Sequence, residues 1–368
     1  MRISTVRELK NNEYRVGLTP DNVREYIRHG HSVTVESGAG VGSGFDDEDY
    51  LDAGARVVPD ADTAWESADL MIKVKEPLEE EYQYLRHNLI LFAYLHLAAD
   101  EALTHALLES GCTAIAYETT SDNNGGLPLL KPMSEIAGRL AILSGAYFLK
   151  KSVGGSGVLL GSLPGIPRPK VAILGAGSAG AAAIRLAHGI GADVQVLDIN
   201  LARLTELDVE YGGKITTIHS TPESVQAALA DADLVVGTVL IPGARAPKLV
   251  KAEYLKTMKP GSVIVDVAID QGGCTEVSRP TTYDEPTYLV DGIVMYCVAN
   301  MPGSVPYTST LALTNATLAY GLAIADKGLA GAIKRFEGLR SAVNTYMGEV
   351  TLESIADSFG LKYHELEF

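Results

Sequence analysis

An α/β fold built on parallel sheets is predicted by three observations. Short β-branched runs alternate with helical stretches along most of the chain. Two stretches rich in glycine and proline, 121–132 and 154–169, break the chain between a first such unit and a second. The second unit opens on a strand that runs straight into a glycine turn and a helix. At ~150 residues per domain, 368 residues suggest two or three domains. With 46% hydrophobic and 21% charged residues the composition is that of a globular protein.

The first strand is expected over Arg2 to Val6. Thr19-Pro20 reads as an N-cap and first helical residue, with a helix to about His29 and a stop at Gly30. Further strands are expected at His31 to Glu36, Leu70 to Val74, Leu89 to Ala93 and Thr113 to Tyr117, with a helix over Asp100 to Ser110. After the first break, Met133 to Lys151 carries a long helical pattern. The second unit has expected strands at 171–174, 193–197, 215–218, 234–239 and 263–269. Beyond Pro306 the pattern is mostly helical, apart from a short terminal strand. That tail has too few strands to stand alone, so it is expected to pack onto one of the two units.

Composition also excludes function classes. There are 46 acidic against 30 basic residues, a net charge of −16, which repels a phosphate polymer and speaks against nucleic acid as a partner. The longest nearly uncharged run, Val171 to Ile184, is short of the ~18 apolar residues a membrane helix needs. The N-terminus lacks the apolar core of a secretion signal. Cys112, Cys274 and Cys297 show neither metal-ligand spacing nor an even disulfide count, so reduced thiols and a cytoplasmic location are expected, with no metal site.

The glycine turn is the most informative local motif. Lys170 to Leu174 leads into Gly175-Ala176-Gly177-Ser178-Ala179-Gly180 and a helix follows, which is G-x-G-x-x-G in strand–turn–helix context. Gly175 permits the tight turn, Gly177 lets backbone N–H groups approach a pyrophosphate, and Gly180 lets the helix pack on the strand. The next strand ends at Asp198, at the distance where an acidic residue hydrogen-bonds the ribose hydroxyls. A carboxylate there repels a 2′-phosphate and so favours NAD over NADP. Arg203, five residues on, either offsets that repulsion or is a solvated helical arginine.

Four further sites fall where strands end, the place where open α/β sheets bind ligands. Arg15 lies in a polar loop, where its guanidinium can hold a carboxylate through two hydrogen bonds or simply be a surface arginine. Strand alternation places Lys73 and Lys75 on one face, and either can polarise a carbonyl oxygen or be a surface lysine. His96 follows the apolar run LILFAYL and reads equally as an acid/base or as a satisfied core histidine. Asp270 ends VIVDVAID, and Asp266 shares its strand and face. Neither a nucleophile elbow nor a P-loop is present.

Taken together, ten blocks resemble one family, the L-alanine dehydrogenases of the alanine dehydrogenase/pyridine nucleotide transhydrogenase group. The blocks are KNNEYRVGLTP, KVKEP, LFAYLHLA, AYET, LPLLKPMSEIAGRL, GAGSAG, VLDIN, KPGSVIVDVAIDQGGC, SRPTTYD and VANMPGSVP. The resemblance implies two Rossmann-like doubly wound domains with an active-site cleft between them. A discontinuous substrate domain would comprise 1–129 and 307–368, and an NAD-binding domain 130–306. It implies reversible NAD-dependent deamination of L-alanine to pyruvate and ammonia, and a homohexamer.

Carried over by motif, Arg15 and Lys75 resemble the substrate-carboxylate ligands, and His96 and Asp270 the catalytic pair, which selects Lys75 over Lys73 and Asp270 over Asp266. Ser134 resembles a cofactor phosphate contact, while Asn300 and Met301 line the nicotinamide side. Tyr14 stands where many relatives carry Phe. The alternatives are another small amino acid such as glycine, a transhydrogenase-like protein needing a membrane partner, and a non-catalytic NAD(H)-binding protein.

Overall fold

The computed structural model describes residues 1–239 and 246–367. By compactness the chain divides into two units, Met1–Met133 with Gly303–Phe368, and Ser134–Pro302. Each is a parallel-rich mixed sheet flanked by helices, the Rossmann-like α/β class expected.

The first sheet contains β1 (Arg2–Thr5), β2 (Ser32–Glu36), β3 (Arg56–Val58), β4 (Leu70–Ile72), β5 (Ile90–Ala93) and β6 (Thr113–Ala116), all parallel in the spatial order 6-5-4-1-2-3. The helix Pro20–Arg28 starts where expected. Thr19 caps it by accepting from the Asn22 N–H, and the Asn22 side chain accepts in return from the Thr19 backbone. Strand β3 was not expected; three residues, RVV, are too short to show alternation.

Strand β4 ends at Ile72, two residues earlier than expected. Met71, Ile72, Lys73 and Val74 are all buried, so the alternation that put Lys73 and Lys75 on one face does not operate there. The mostly helical C-terminal tail also needs correction. Its long helix, Pro306–Arg335, is broken at Gly328 (φ 67°), and two strands follow, β14 (Val343–Tyr346) and β15 (Glu349–Val350). Strand β14 joins the first sheet antiparallel to β6, pairing Thr345 with Ala114.

The second sheet contains β7 (Lys170–Leu174), β8 (Asp193–Asp198), β9 (Thr216–His219), β10 (Leu234–Gly237), β11 (Val263–Asp266), β12 (Thr287–Val290) and β13 (Ile293–Tyr296). Its order is 12-13-11-10-7-8-9, with only β12 antiparallel. The runs LVVG and VIVD are buried at every position, as strands covered on both faces must be. Strand β11 stops at Asp266. The residues expected to continue it form a 3₁₀ turn, Val267–Gln271, so Asp266 and Asp270 do not share a strand face.

Candidate active site

In the first unit, β1 and β4 are neighbours, while the connections leaving them run to opposite sides. That is the topological switch point, where a crevice opens at the carboxyl ends of the strands. The segments following β1, β4 and β5 carry Arg15, Lys75 and His96, so the structure gathers these three at one sheet edge.

Arg15 is not a surface arginine; it is 2% exposed. Its Nε and Nη2 each donate to the Glu13 carboxylate at 2.6 Å, a two-bond pairing, and Nη1 lies 3.1 Å from Met133 Sδ. Burial works against the charge of Arg15, but the Glu13 carboxylate outweighs it and holds the guanidinium protonated. The loop is pinned by the C-terminal helix, where Thr310 Oγ1 accepts from the Val16 N–H at 3.2 Å.

Lys73 is fully buried and donates to Glu81 at 2.7 Å, with Glu8 at 3.4 Å. Glu8 also accepts from the Val74 N–H at 2.6 Å, which fixes the turn leading to Lys75. Lys75 itself is half-buried. Burial pushes the neighbouring Glu76 carboxyl up, but Lys75 and Lys10 outweigh it and hold the group below the usual range. The two lysines therefore have different surroundings: Lys73 is consumed in a buried ion cluster.

His96 is exposed, which excludes a core histidine. Its backbone is left-handed, φ 51°. The Glu118 carboxylate stabilises that bend by accepting from the Leu95 N–H at 3.2 Å and the His96 N–H at 2.6 Å. The imidazole Nδ1 is 3.9 Å from the same carboxylate, beyond a hydrogen bond. Tyr94, buried and tied to the Leu129 carbonyl at 2.6 Å, lies nearly parallel to the ring.

In the second unit the site residues again follow strand ends. Gly175 has φ 101°, which a side chain resists. A Cβ on Gly177 would meet nothing within 4 Å, so that face of the turn is open to a ligand. A Cβ on Gly180 would lie 1.9 Å from the Gly175 carbonyl oxygen. These are the three roles the motif assigns, and the turn fits a dinucleotide. Thr238, which the sequence did not single out, donates to the Leu174 and Gly175 carbonyls at 2.9 Å and clamps the turn. Ser178 and Ala179 begin the helix Ser178–Gly189, whose N-cap Gly177 offers no side-chain cap to the first N–H groups. Gly180→Ala is expected to cost about 1–3 kcal/mol by overpacking. An unchanged thermal-unfolding midpoint would show that the turn relaxes instead.

Asp198 ends β8 and both carboxylate oxygens are engaged, one by the Ala176 N–H at 2.7 Å and the other by the Asn200 N–H at 2.8 Å. Arg203 spans from the next helix to the Ala176 carbonyl at 3.0 Å and pairs with Glu206 at 2.8 Å. Asp270 is exposed on its 3₁₀ turn, with Oδ1 3.3 Å from the Asn300 N–H. Asn300 is left-handed, φ 55°, and the Met301 carbonyl accepts from Tyr283 at 3.0 Å. Ser134 is half-buried in the first turns of the helix Lys131–Phe148. Asp266, by contrast, is buried and accepts from the Ala268 N–H, the Cys274 N–H and Ser278 Oγ. It holds the turn that presents Asp270. No cluster of metal-ligating side chains occurs among the described residues.

An open glycine turn on one sheet, with a fixed carboxylate at the next strand end, defines a dinucleotide-binding protein. At the other sheet's switch point, Arg15, Lys75 and His96 follow the strand ends as a polar set. Comparison with known proteins makes the assignment narrower. Residues 4–137 match the model of the alanine dehydrogenase/PNT N-terminal domain and residues 141–353 that of its C-terminal domain. The chain is 51% identical over 365 residues to the alanine dehydrogenase of Halomonas elongata, covering 99% of this chain and 98% of that protein. It is 52% identical, with the same coverage, to that of Mycobacterium tuberculosis. A solved L-alanine dehydrogenase superposes with a TM-score of 0.94 at 48% identity, covering 98% of this chain and 99% of that one. A transhydrogenase from Sinorhizobium meliloti superposes at 0.81 with 28% identity, covering 96% and 99%. The chain belongs to the alanine dehydrogenase/PNT family.

Proposed function

We propose that the protein is an NAD-dependent alanine dehydrogenase. It converts L-alanine, NAD⁺ and water to pyruvate, ammonium, NADH and a proton, and runs in reverse. The observation that carries this is the buried, carboxylate-fixed Arg15 beside Lys75 and His96 at one switch point, in a chain half identical over its whole length to alanine dehydrogenases. A dinucleotide carrier alone has no need of a guanidinium and an ammonium converging on a strand edge. The greater identity to alanine dehydrogenases than to the transhydrogenase supports the same choice.

In this reading residues 1–129 and 307–368 bind substrate and 130–306 bind NAD. Arg15 and Lys75 hold the substrate carboxylate, and Lys75 also reaches the forming carbonyl oxygen. His96 moves protons to and from the attacking water and the carbinolamine. Asp270 orients the nitrogen and exchanges its proton. Gly175, Gly177, Ser178, Ala179 and Gly180 cradle the pyrophosphate, Asp198 and Arg203 face the ribose, and Ser134, Asn300 and Met301 complete the cofactor contacts. NAD supplies the hydride acceptor. Rapid, ammonium-dependent oxidation of NADH by pyruvate is the expected assay result, with glyoxylate and 2-oxobutyrate as competitors. NADH binding with no turnover of any 2-oxo acid would defeat the proposal.

Cofactor choice has a specific test. Glu206 pairs with Arg203, and Asp198 accepts from the N–H of Ala176, whose carbonyl Arg203 holds; both carboxylates oppose a 2′-phosphate. The double variant Asp198→Asn, Glu206→Gln is expected to raise kcat/KM for NADPH relative to NADH by about tenfold or more. An unchanged ratio would remove these residues from cofactor selection.

We also place the protein in the cytoplasm as a homohexamer. No helix among the described residues is long and apolar enough to cross a membrane. Exposed Leu143, Tyr147, Leu159, Leu163 and Ile166 on the second unit are apolar surface that assembly would cover. Light scattering that gives a monomer would refute the hexamer.

A further inference from the structure

Five ionisable side chains are packed behind the substrate edge of the first unit. Arg15 is 2% exposed and Lys73 0%, while Glu13 is 5% and Glu81 3% exposed. The Glu8 side chain is 1% exposed. They arrive from three segments: Glu8, Glu13 and Arg15 from the loop after β1, Lys73 from the end of β4, and Glu81 from the 3₁₀ turn Glu79–Tyr84. Arg15 pairs with Glu13, and Lys73 is shared between Glu81 and Glu8. Within this set of five, two cations face three carboxylates. An interior this dry does not tolerate a net charge without cost, so the odd carboxylate is the one that takes up a proton.

We propose that Glu8 is a positioning residue that sets the charge acting through Arg15 on the substrate carboxylate: protonated, it leaves the buried group neutral, and ionised, it makes the group a net anion that weakens the grip on an anionic substrate. This rests on the reading of Arg15 as a carboxylate ligand. Glu8 is the member placed to do so. It has only the more distant contact with Lys73, at 3.4 Å, against 2.7 Å for Glu81, and its other partner is the neutral Val74 N–H. Burial pushes its carboxyl up to about 7, Lys73 and the Val74 N–H pull it down, and Glu81 and Glu13 push it up. The Arg15 guanidinium and the buried Tyr117 phenol, which burial keeps neutral, face it as well.

The sign follows from linkage. An anion entering beside Arg15 disfavours the ionised form of Glu8, so binding takes up a proton near neutrality and weakens as pH rises through about 7. The test is calorimetric titration of pyruvate into the NADH complex without ammonium, on either side of that pH, in buffers of different ionisation enthalpy. The native protein is expected to lose about fivefold or more in pyruvate affinity across the range and to take up a fraction of a proton. Glu8→Gln, which copies the protonated acid, is expected to bind as tightly as the native protein at low pH. It should show neither the loss at neutral pH nor the proton uptake. Glu81→Gln, which removes one repelling carboxylate, is expected to shift the transition to lower pH, and it serves where Glu8→Gln fails to fold. A native-like pH dependence in the Gln variant tested overturns the role of Glu8. An Arg15→Met protein that still binds pyruvate normally would instead defeat the underlying assignment of Arg15.

Discussion

Replacement of His96 by asparagine is expected to lower turnover of pyruvate and ammonium by about 10²–10⁴-fold, the usual worth of a positioned acid/base. Asparagine is the informative choice because His96 sits at φ 51°, a conformation asparagine adopts readily and β-branched residues resist. The two N–H bonds to Glu118 involve only the backbone of residues 95 and 96 and survive the change. What is lost is the ring nitrogen that, in the proposed function, exchanges protons with water and the carbinolamine. In the proposed function NADH is held by the glycine turn and Asp198, so the Kd for NADH is expected to stay at its native value. Steady-state turnover together with NADH fluorescence titration measures both. Turnover within a few-fold of native would end the assignment of His96. Weakened NADH binding would show that the change acts on the fold.

How much of this was legible beforehand varies by element. The geometry of the glycine turn and the position of Asp198 were readable because they are local: a positive φ, an open face, a close approach and a fixed distance along one chain. The hairpin between β12 and β13 was missed despite its signal. Asp291-Gly292, at φ 50° and 81°, is the two-residue turn such hairpins prefer. The hairpin of β14 and β15 turns on Met347-Gly348 at φ 52° and 85°. Methionine is not a residue that announces such a turn, so nothing in the sequence marked it.

The buried charges were illegible for another reason. Glu8, Lys73 and Glu81 look like surface residues in a polar stretch, and only the packing of three separate segments makes them interior. Arg15 could equally be a surface arginine on sequence alone, and its burial against Glu13 is visible only in the packing. Glu118 gave no signal either, because its work is done on the backbone of another strand end.

The second large effect is expected at Asp270. Asp270→Asn should lower turnover by about 10²–10⁴-fold, because the amide keeps the shape but neither holds nor releases a proton at the reacting nitrogen. Asp270 is exposed on its 3₁₀ turn, and its hydrogen bond from the Asn300 N–H is long, at 3.3 Å. Little stability depends on it, so the thermal midpoint is expected to be unchanged. Asp266, four residues earlier, makes the opposite case. Its buried carboxylate satisfies two N–H groups and one hydroxyl, and removing it in Asp266→Ala leaves buried donors unpaired at about 1–3 kcal/mol each. That variant is expected to lose stability first and activity with it. The pair of measurements therefore separates the chemistry of the turn from its support. Native-like turnover in Asp270→Asn would move the proton-exchanging role elsewhere, whereas a large fall in its midpoint would mean that the carboxylate is structural after all.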